Sequence, residues 1–143
     1  MIIIKYKKQY KKKKIINIKK KFIGLLQYGF FGLQAKTSGI LDIKQLENIR
    51  RIFIKISKRT AKIFIRVFFE KPKTAKPLLS RMGKGVGNIN LWISYIKKGQ
   101  IFLEVMGISK NIALKTFQKI LFKLPFKINF IMREVFENKV LPK

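Results

Sequence analysis

Between Lys71 and Trp92 the chain reads KPKTAKPLLSRMGKGVGNINLW, a run in which five cations and three alternate glycines meet no carboxylate. Lys71, Lys73, Lys76, Arg81 and Lys84 supply fixed positive charge and N–H donors. Gly83, Gly85 and Gly87 allow close backbone approach and φ values that other residues resist. This is chemistry for gripping a polyanion. It does not extend to a nucleotide site: G-x-x-x-x-G-K-[ST] is absent, and Asn88 stands where G-x-G-x-x-G needs its last glycine.

Catalytic groups are scarce elsewhere. With no Cys and no His, the sequence excludes disulfides, nearly every zinc site, nucleophile–histidine systems and the usual neutral-pH proton shuttle. Glu70 and Glu104 have no second acid near them in sequence, and Glu134 and Glu137 sit close to the end of the chain. Each suits an ion pair with the cation excess better than half of an acid–base couple. Neither an enzyme nor a cofactor is expected.

The charge balance points the same way. Thirty-four Lys and Arg against six Asp and Glu leave +28 on 143 residues, which repels itself unless a polyanion neutralises it. Nucleic acid is the first candidate partner and anionic membrane the second. The longest uncharged run, Phe22 to Ala35, is broken by three glycines and is shorter than the roughly 20 residues a spanning helix needs. Lys (28) and Ile (24) make up over a third of the chain, and Lys outnumbers Arg 28 to 6 although Arg is the better bidentate phosphate ligand. Codons rich in A and T explain that preference, and bias this strong suggests an organelle genome.

Elements must hold these groups in place. Residues 1–23 carry ten lysines and no acid, with Tyr6 and Tyr10 interleaved, and read as a basic arm along phosphates. They lack the Arg and Ser of an import presequence. Residues 24–132 form the single expected domain, followed by a tail over 133–143. Phe22 to Leu41 suits one or two strands with a bulge or bend. Asp42 is a helix N-cap, and Ile43, Leu46, Ile49, Phe53 and Ile56 recur at spacings of three and four, predicting a helix over 43–57. Lys44, Arg50, Arg51 and Lys58 or Arg59 then face solvent or RNA.

Ala61 to Phe68 alternates as a strand, with Ala61, Ile63, Ile65 and Val67 toward the core and Lys62, Phe64, Arg66 and Phe68 on a basic, aromatic face. That face could stack on bases or pack under the arm. A long loop over 71–92 follows. Leu91 to Lys97 and Ile101 to Met106, joined across Gly99, read as a hairpin. Ser109 caps a helix over 110–124 with Ala113, Phe117, Ile120, Leu121 and Leu124 on one face, and Pro125 ends it. Phe126, Ile128, Phe130 and Met132 alternate as a last strand. The order predicts an α+β sandwich: a mixed or antiparallel sheet covered by two helices.

Several stretches, in order from about residue 5 to 132, resemble one family. RMGKGVGNINLW (Arg81 to Trp92) is similar to the R-M-G-x-G-K-G-x-x-x-x-W signature of the bacterial-type large-subunit ribosomal protein numbered sixteen. KYKKQ (Lys5 to Gln9), FGLQA (Phe31 to Ala35), KIFIRVFFEKPKTAKP (Lys62 to Pro77) and KLPFKINFI (Lys123 to Ile131) resemble that family's other motifs. Tyr10 replaces a usual His, Val86 a loop cation, and Phe69–Glu70 the usual Pro-Asp.

The resemblance implies a large-subunit component bound to ribosomal RNA beside the peptidyl transferase centre. Its partners would be rRNA, the acceptor ends of A- and P-site tRNA and neighbouring ribosomal proteins, with no membrane and no homo-oligomer. Lys5, Lys7, Lys8, Lys11, Lys12, Lys13, Lys14, Arg50, Arg51 and Arg66 would hold rRNA. Arg81, Met82, Gly83, Lys84 and Gly85 would lie nearest tRNA. Residence in the mitochondrial matrix is expected, with the plastid as alternative. The competing readings are an RNA-binding assembly or nucleoid factor outside the mature ribosome, and a basic amphipathic membrane-surface protein.

Overall fold

A computed structural model describes residues 24–83 and 85–133. Among these residues, seven strands and two helices follow in the order β1 (Phe31–Ala35), β2 (Gly39–Asp42), α1 (Ile43–Ile56), β3 (Lys62–Ile65), β4 (Lys71–Ala75), β5 (Asn88–Ile96), β6 (Ile101–Met106), α2 (Lys110–Leu121) and β7 (Ile128–Met132). The fold is α+β, as expected, with all pairings antiparallel. The strands divide between two sheets, β3-β6-β1-β7 and β2-β5-β4.

Helix α1 starts where Asp42 leaves the strand, and the Gln45 side chain reaches back to accept the Asp42 N–H at 3.1 Å. Leu46, Ile49 and Phe53 are buried along its inner stripe, while Ile43 at its start stays exposed. Burying each of these three side chains stabilises the fold by about 1.5–3 kcal/mol. Helix α2 stops three residues short of the expected end. Its inner stripe is Ala113, Thr116 and Ile120, and Leu121 lies at the surface. Thr116 can be buried there because its hydroxyl donates to the Ile112 carbonyl at 2.7 Å.

Three expectations for the strands are corrected. The 71–92 stretch is not one loop: β4 and the start of β5 pair with each other, leaving 76–87 as the connection. Pro72 is compatible with β4 because that strand is at the edge of its sheet, where a missing N–H costs no ladder bond on the outer side. The expected hairpin is absent, since β5 belongs to one sheet and β6 to the other. At the turn between them Gly99 has φ +85° while Lys98 stays at negative φ, unlike the primed turns that fold strands back on each other. The Gly99 N–H instead bonds the Ala35 carbonyl and the Ala35 N–H bonds that of Gln100, tying the crossing to the end of β1. Finally, Ile65 is 47% exposed rather than in the core, because β3 is the outer strand of its sheet and ends there.

The bulge or bend expected within Phe22 to Leu41 falls between Leu33 and Gln34 as a bulge. Leu33 faces Leu103 but Gln34 faces Ile101, so Phe102 is left over and turns its ring edge-on to Phe126.

Strand β6 is buried along almost its whole length, yet carries Glu104 at 0% exposure. The carboxylate accepts the successive backbone N–H groups of Gln27, Tyr28 and Gly29 at 3.1, 2.7 and 2.9 Å, and a guanidinium N–H of Arg66 from β3's end. A Cβ on Gly29 would meet the Val105 backbone at 2.7 Å, so this position needs glycine for the segment to lie so close to β6. Burial pushes the Glu104 carboxyl up, but the bonds from Tyr28, Gly29, Arg66 and Gln27 outweigh it and hold its pKa below 4.5.

Glu104→Gln should therefore lower the unfolding free energy by about 2–4 kcal/mol in denaturant titration, since Arg66 loses its counter-charge and one accepting oxygen is replaced by an amide nitrogen that can only donate toward the N–H groups. A carboxyl with a lowered folded pKa contributes stability above its unfolded value of 4.5 and loses it as pH falls through the folded one. Thermal melts of the wild type should fall off below about pH 4.5, and the Glu104→Gln chain should show a shallower acid limb.

Candidate nucleic-acid interface

Strands β4 and β5 carry the 76–87 loop between their ends, and Gly87 closes its base. A Cβ there would meet the Ala75 carbonyl oxygen at 2.3 Å, so only a bare backbone passes. Within the loop the Ser80 N–H bonds the Pro77 carbonyl at 3.0 Å, and the Lys76 ammonium donates to the carbonyl of Gly83. Gly83 and Gly85 take φ of +100° and +78°, the left-handed region, and a Cβ on either would have nothing within 4 Å. Backbone conformation, rather than crowding, is what demands glycine at these two positions.

The result is a tip whose side chains face outward. Leu78, Leu79 and Met82 are almost completely exposed and Arg81 stands among them. Arg81, Met82, Gly83 and Gly85 lie in this loop; Lys84 lies outside the described residues. Lys71 and Lys73 do not belong to the tip. They are on β4, where the Lys71 ammonium lies 4.3 Å from the centre of the Tyr95 ring.

A second basic surface forms on α1. Glu47 accepts from Arg50 through Nε at 2.8 Å and Nη2 at 2.7 Å, and from Arg51 through Nε at 3.1 Å. The Arg50 bond, then that of Arg51, pulls the Glu47 carboxyl down to about 2, and Glu47 raises the pKa of Arg50 in turn. Glu47 therefore stays ionised and sets the orientation of both guanidiniums. One helical turn on, the chain leaves α1 through two consecutive non-glycine residues at positive φ, Lys58 (50°) and Arg59 (69°).

Left-handed backbone costs about 1–2 kcal/mol per side-chain-bearing residue. Here it is offset by bonds from the Arg59 N–H to the Ile54 carbonyl and from the Thr60 N–H and hydroxyl to that of Ser57. This exit brings Lys58 and Arg59 beside Arg50, Arg51, Ile54 and Lys55 around one open depression. Five of its six lining residues are cationic.

Lys55 completes that depression and was not singled out by sequence reasoning, although it lies four residues from Arg51 and so on the same face of α1. The paired left-handed exit that gathers Lys58 and Arg59 has no sequence signal, because neither residue is glycine or asparagine. Arg66 stands apart from both surfaces. Its guanidinium bonds Glu104, the Leu25 carbonyl and the Gln27 side-chain oxygen, so its strongest partner is internal. Lys5, Lys7, Lys8 and Lys11 to Lys14 lie outside the described residues. Among the described residues no helix is long and apolar enough to cross a membrane.

Residues 4–131 match the model of the family described as ribosomal protein L16p/L10e. A large ribosomal subunit protein uL16 from Vibrio cholerae is 42% identical over 110 residues, covering 77% of this chain and 81% of the relative. The large ribosomal subunit protein uL16c of Cyanidium caldarium is 39% identical over 111 residues, 78% of this chain and 79% of its own. Since the matched span takes in nearly all of the two sheets, both helices, the basic α1 surface and the glycine loop, the chain belongs to the ribosomal protein L16p/L10e family.

Proposed function

We propose that the chain is a structural constituent of the large ribosomal subunit that binds rRNA near the peptidyl transferase centre and helps position A- and P-site tRNA. The observation that carries this reading is a division of labour between two surfaces. The α1 depression presents Arg50, Arg51, Lys55, Lys58 and Arg59 from a rigid helix end, which suits phosphates at fixed spacing. The loop tip carries Arg81 and Met82 on a backbone that two left-handed glycines shape, well away from the buried core, which suits a reach toward a separate partner.

Neighbouring ribosomal proteins complete the set of partners, and catalysis stays with the RNA. We place the protein in the mitochondrial ribosome on its excess of Lys, Ile and Phe, residues specified by A- and T-rich codons, with a plastid ribosome as the alternative. Immunodetection in separated organelle fractions decides between them.

Sucrose-gradient sedimentation of organelle extract under rising salt tests the whole reading. Co-migration with the large subunit, persisting to several hundred millimolar salt, is the expected outcome; migration with precursor particles alone would make the protein an assembly factor.

Replacing Lys55, Lys58 and Arg59 together by Gln should flatten the dependence of rRNA affinity on log salt by about 0.7–0.9 for each phosphate that is no longer neutralised, with an unchanged melting curve. A filter-binding series at stepped salt reads this directly, and an unchanged slope would remove the depression from the interface.

Arg81→Ala should leave incorporation into the subunit intact while weakening tRNA binding to the assembled particle. If the substitution blocks incorporation instead, the loop is an anchor and the tRNA role falls.

A further inference from the structure

The basic, aromatic face of β3 takes no part in either surface described above, and its geometry is specific. Lys62, Phe64 and Arg66 alternate onto one face, where Phe64 is in register with Glu104 of β6. The 27–29 segment lies across that face with its N–H groups on the Glu104 carboxylate. The Tyr28 ring stacks on Phe64, centroids 5.6 Å apart and planes 27° apart. Phe64 is thereby partly covered, while Tyr28 remains 58% exposed.

Resting on the RNA-binding reading above, we propose that Tyr28 is a stacking platform for an unpaired RNA base. A platform needs an open π-face, a fixed position and a phosphate-attracting surround. Tyr28 has all three. Its outer side is open, its inner side rests on Phe64, and its own N–H is held by Glu104 at 2.7 Å, so the ring enters binding already ordered. Lys62 is exposed on the same face of β3. In the sequence, the ten lysines of residues 1–23 end only a few residues before Tyr28, which would bring a nucleic-acid backbone to this place. An unpaired base is favoured over a duplex because a paired base keeps its faces buried in its own stack.

The test uses the full chain with two probes, a short oligouridylate single strand and an oligoadenylate–oligouridylate duplex of the same length, titrated by fluorescence anisotropy at stepped salt. Tyr28→Leu keeps an apolar cover on Phe64 but removes the π-face; Tyr28→Phe keeps both. We expect Tyr28→Leu to bind the single strand about 5- to 100-fold more weakly, with an unchanged salt slope and unchanged duplex binding. Tyr28→Phe should match the wild type.

Equal single-strand affinity in the Leu variant, equal losses on both probes, or a reduced salt slope would each overturn the proposal. Should circular dichroism show the Leu variant unfolded, Tyr28→Trp decides. Extra fluorescence quenching by the single strand, beyond that of the wild type, supports the platform, and equal quenching overturns it. The ribosomal reading fails separately: it would be lost if wild-type chain showed no preference for a large-subunit rRNA transcript over the duplex, whatever the Tyr28 variants do.

Discussion

An ionised carboxylate with no solvent exposure is tolerable only if its surroundings are already arranged to satisfy it. Glu104 imposes that condition on the fold. Its four donors come from two places far apart in sequence, the 27–29 segment and the residue just beyond β3. Three successive backbone N–H groups converging on one carboxylate make an anion nest whose anion is the protein's own. The chain leaving residues 1–23 is therefore fixed in direction before it enters β1, and β3 is fixed to β6 at the point where its regular pairing ends. Without the charge at Glu104 neither constraint would be as strong, because neutral acceptors bond backbone N–H groups more weakly.

The same charge redistributes the cations. Among the described residues, two acids sit where they orient arginines: Glu104 draws Arg66 inward, and Glu47 sets Arg50 and Arg51 on the face of α1. The two cases differ in what they release. Arg66 has only a fifth of its side chain exposed, whereas Arg51 keeps 71% and is bound through Nε alone among the described residues. Glu104 makes a structural residue of its arginine. Glu47, on the surface, positions its arginines so that Nη1 of Arg50 and both outer nitrogens of Arg51 stay clear of it, and these exposed pairs contribute little to stability in their own right.

Periodicity carried α1, whose inner stripe reads at 3.6 residues, whereas β1 and β6 were legible only as short apolar runs bounded by glycines, β6 being buried on nearly every residue. It failed where the outcome depends on distant partners. Whether Leu91 to Lys97 pairs with Ile101 to Met106 is decided by Ala35, more than 50 residues away in sequence, which captures both sides of the Gly99 turn. Lys71 to Ala75 reads as loop because it holds two lysines and a proline, yet it can be an edge strand against β5. For the candidate sites the split is similar. The glycine loop and the arginines of α1 are visible as composition and spacing. The inward role of Arg66 is not, since its partner lies 38 residues on, and the Tyr28–Phe64 stack likewise joins residues that no local pattern connects.

These placements bear on how a chain of net charge +28 folds at all. The acids are too few to neutralise the surface, so they cannot be explained as general counter-ions. Glu104 instead ties the 27–29 segment and Arg66 to β6, while Glu47 preorganises Arg50 and Arg51, which would lower the ordering cost of binding on α1. The uncompensated lysines remain at the surface as long-range attraction for a polyanion, screened by salt and indifferent to sequence. In the proposed rRNA- and tRNA-binding role, directional recognition would fall to the groups that are geometrically fixed: the α1 guanidiniums, the left-handed exit at Lys58 and Arg59, and the glycine loop. A lysine excess and a small number of well-held arginines can coexist because they suit different physical work in the proposed role, diffuse charge for encounter and fixed guanidiniums for register.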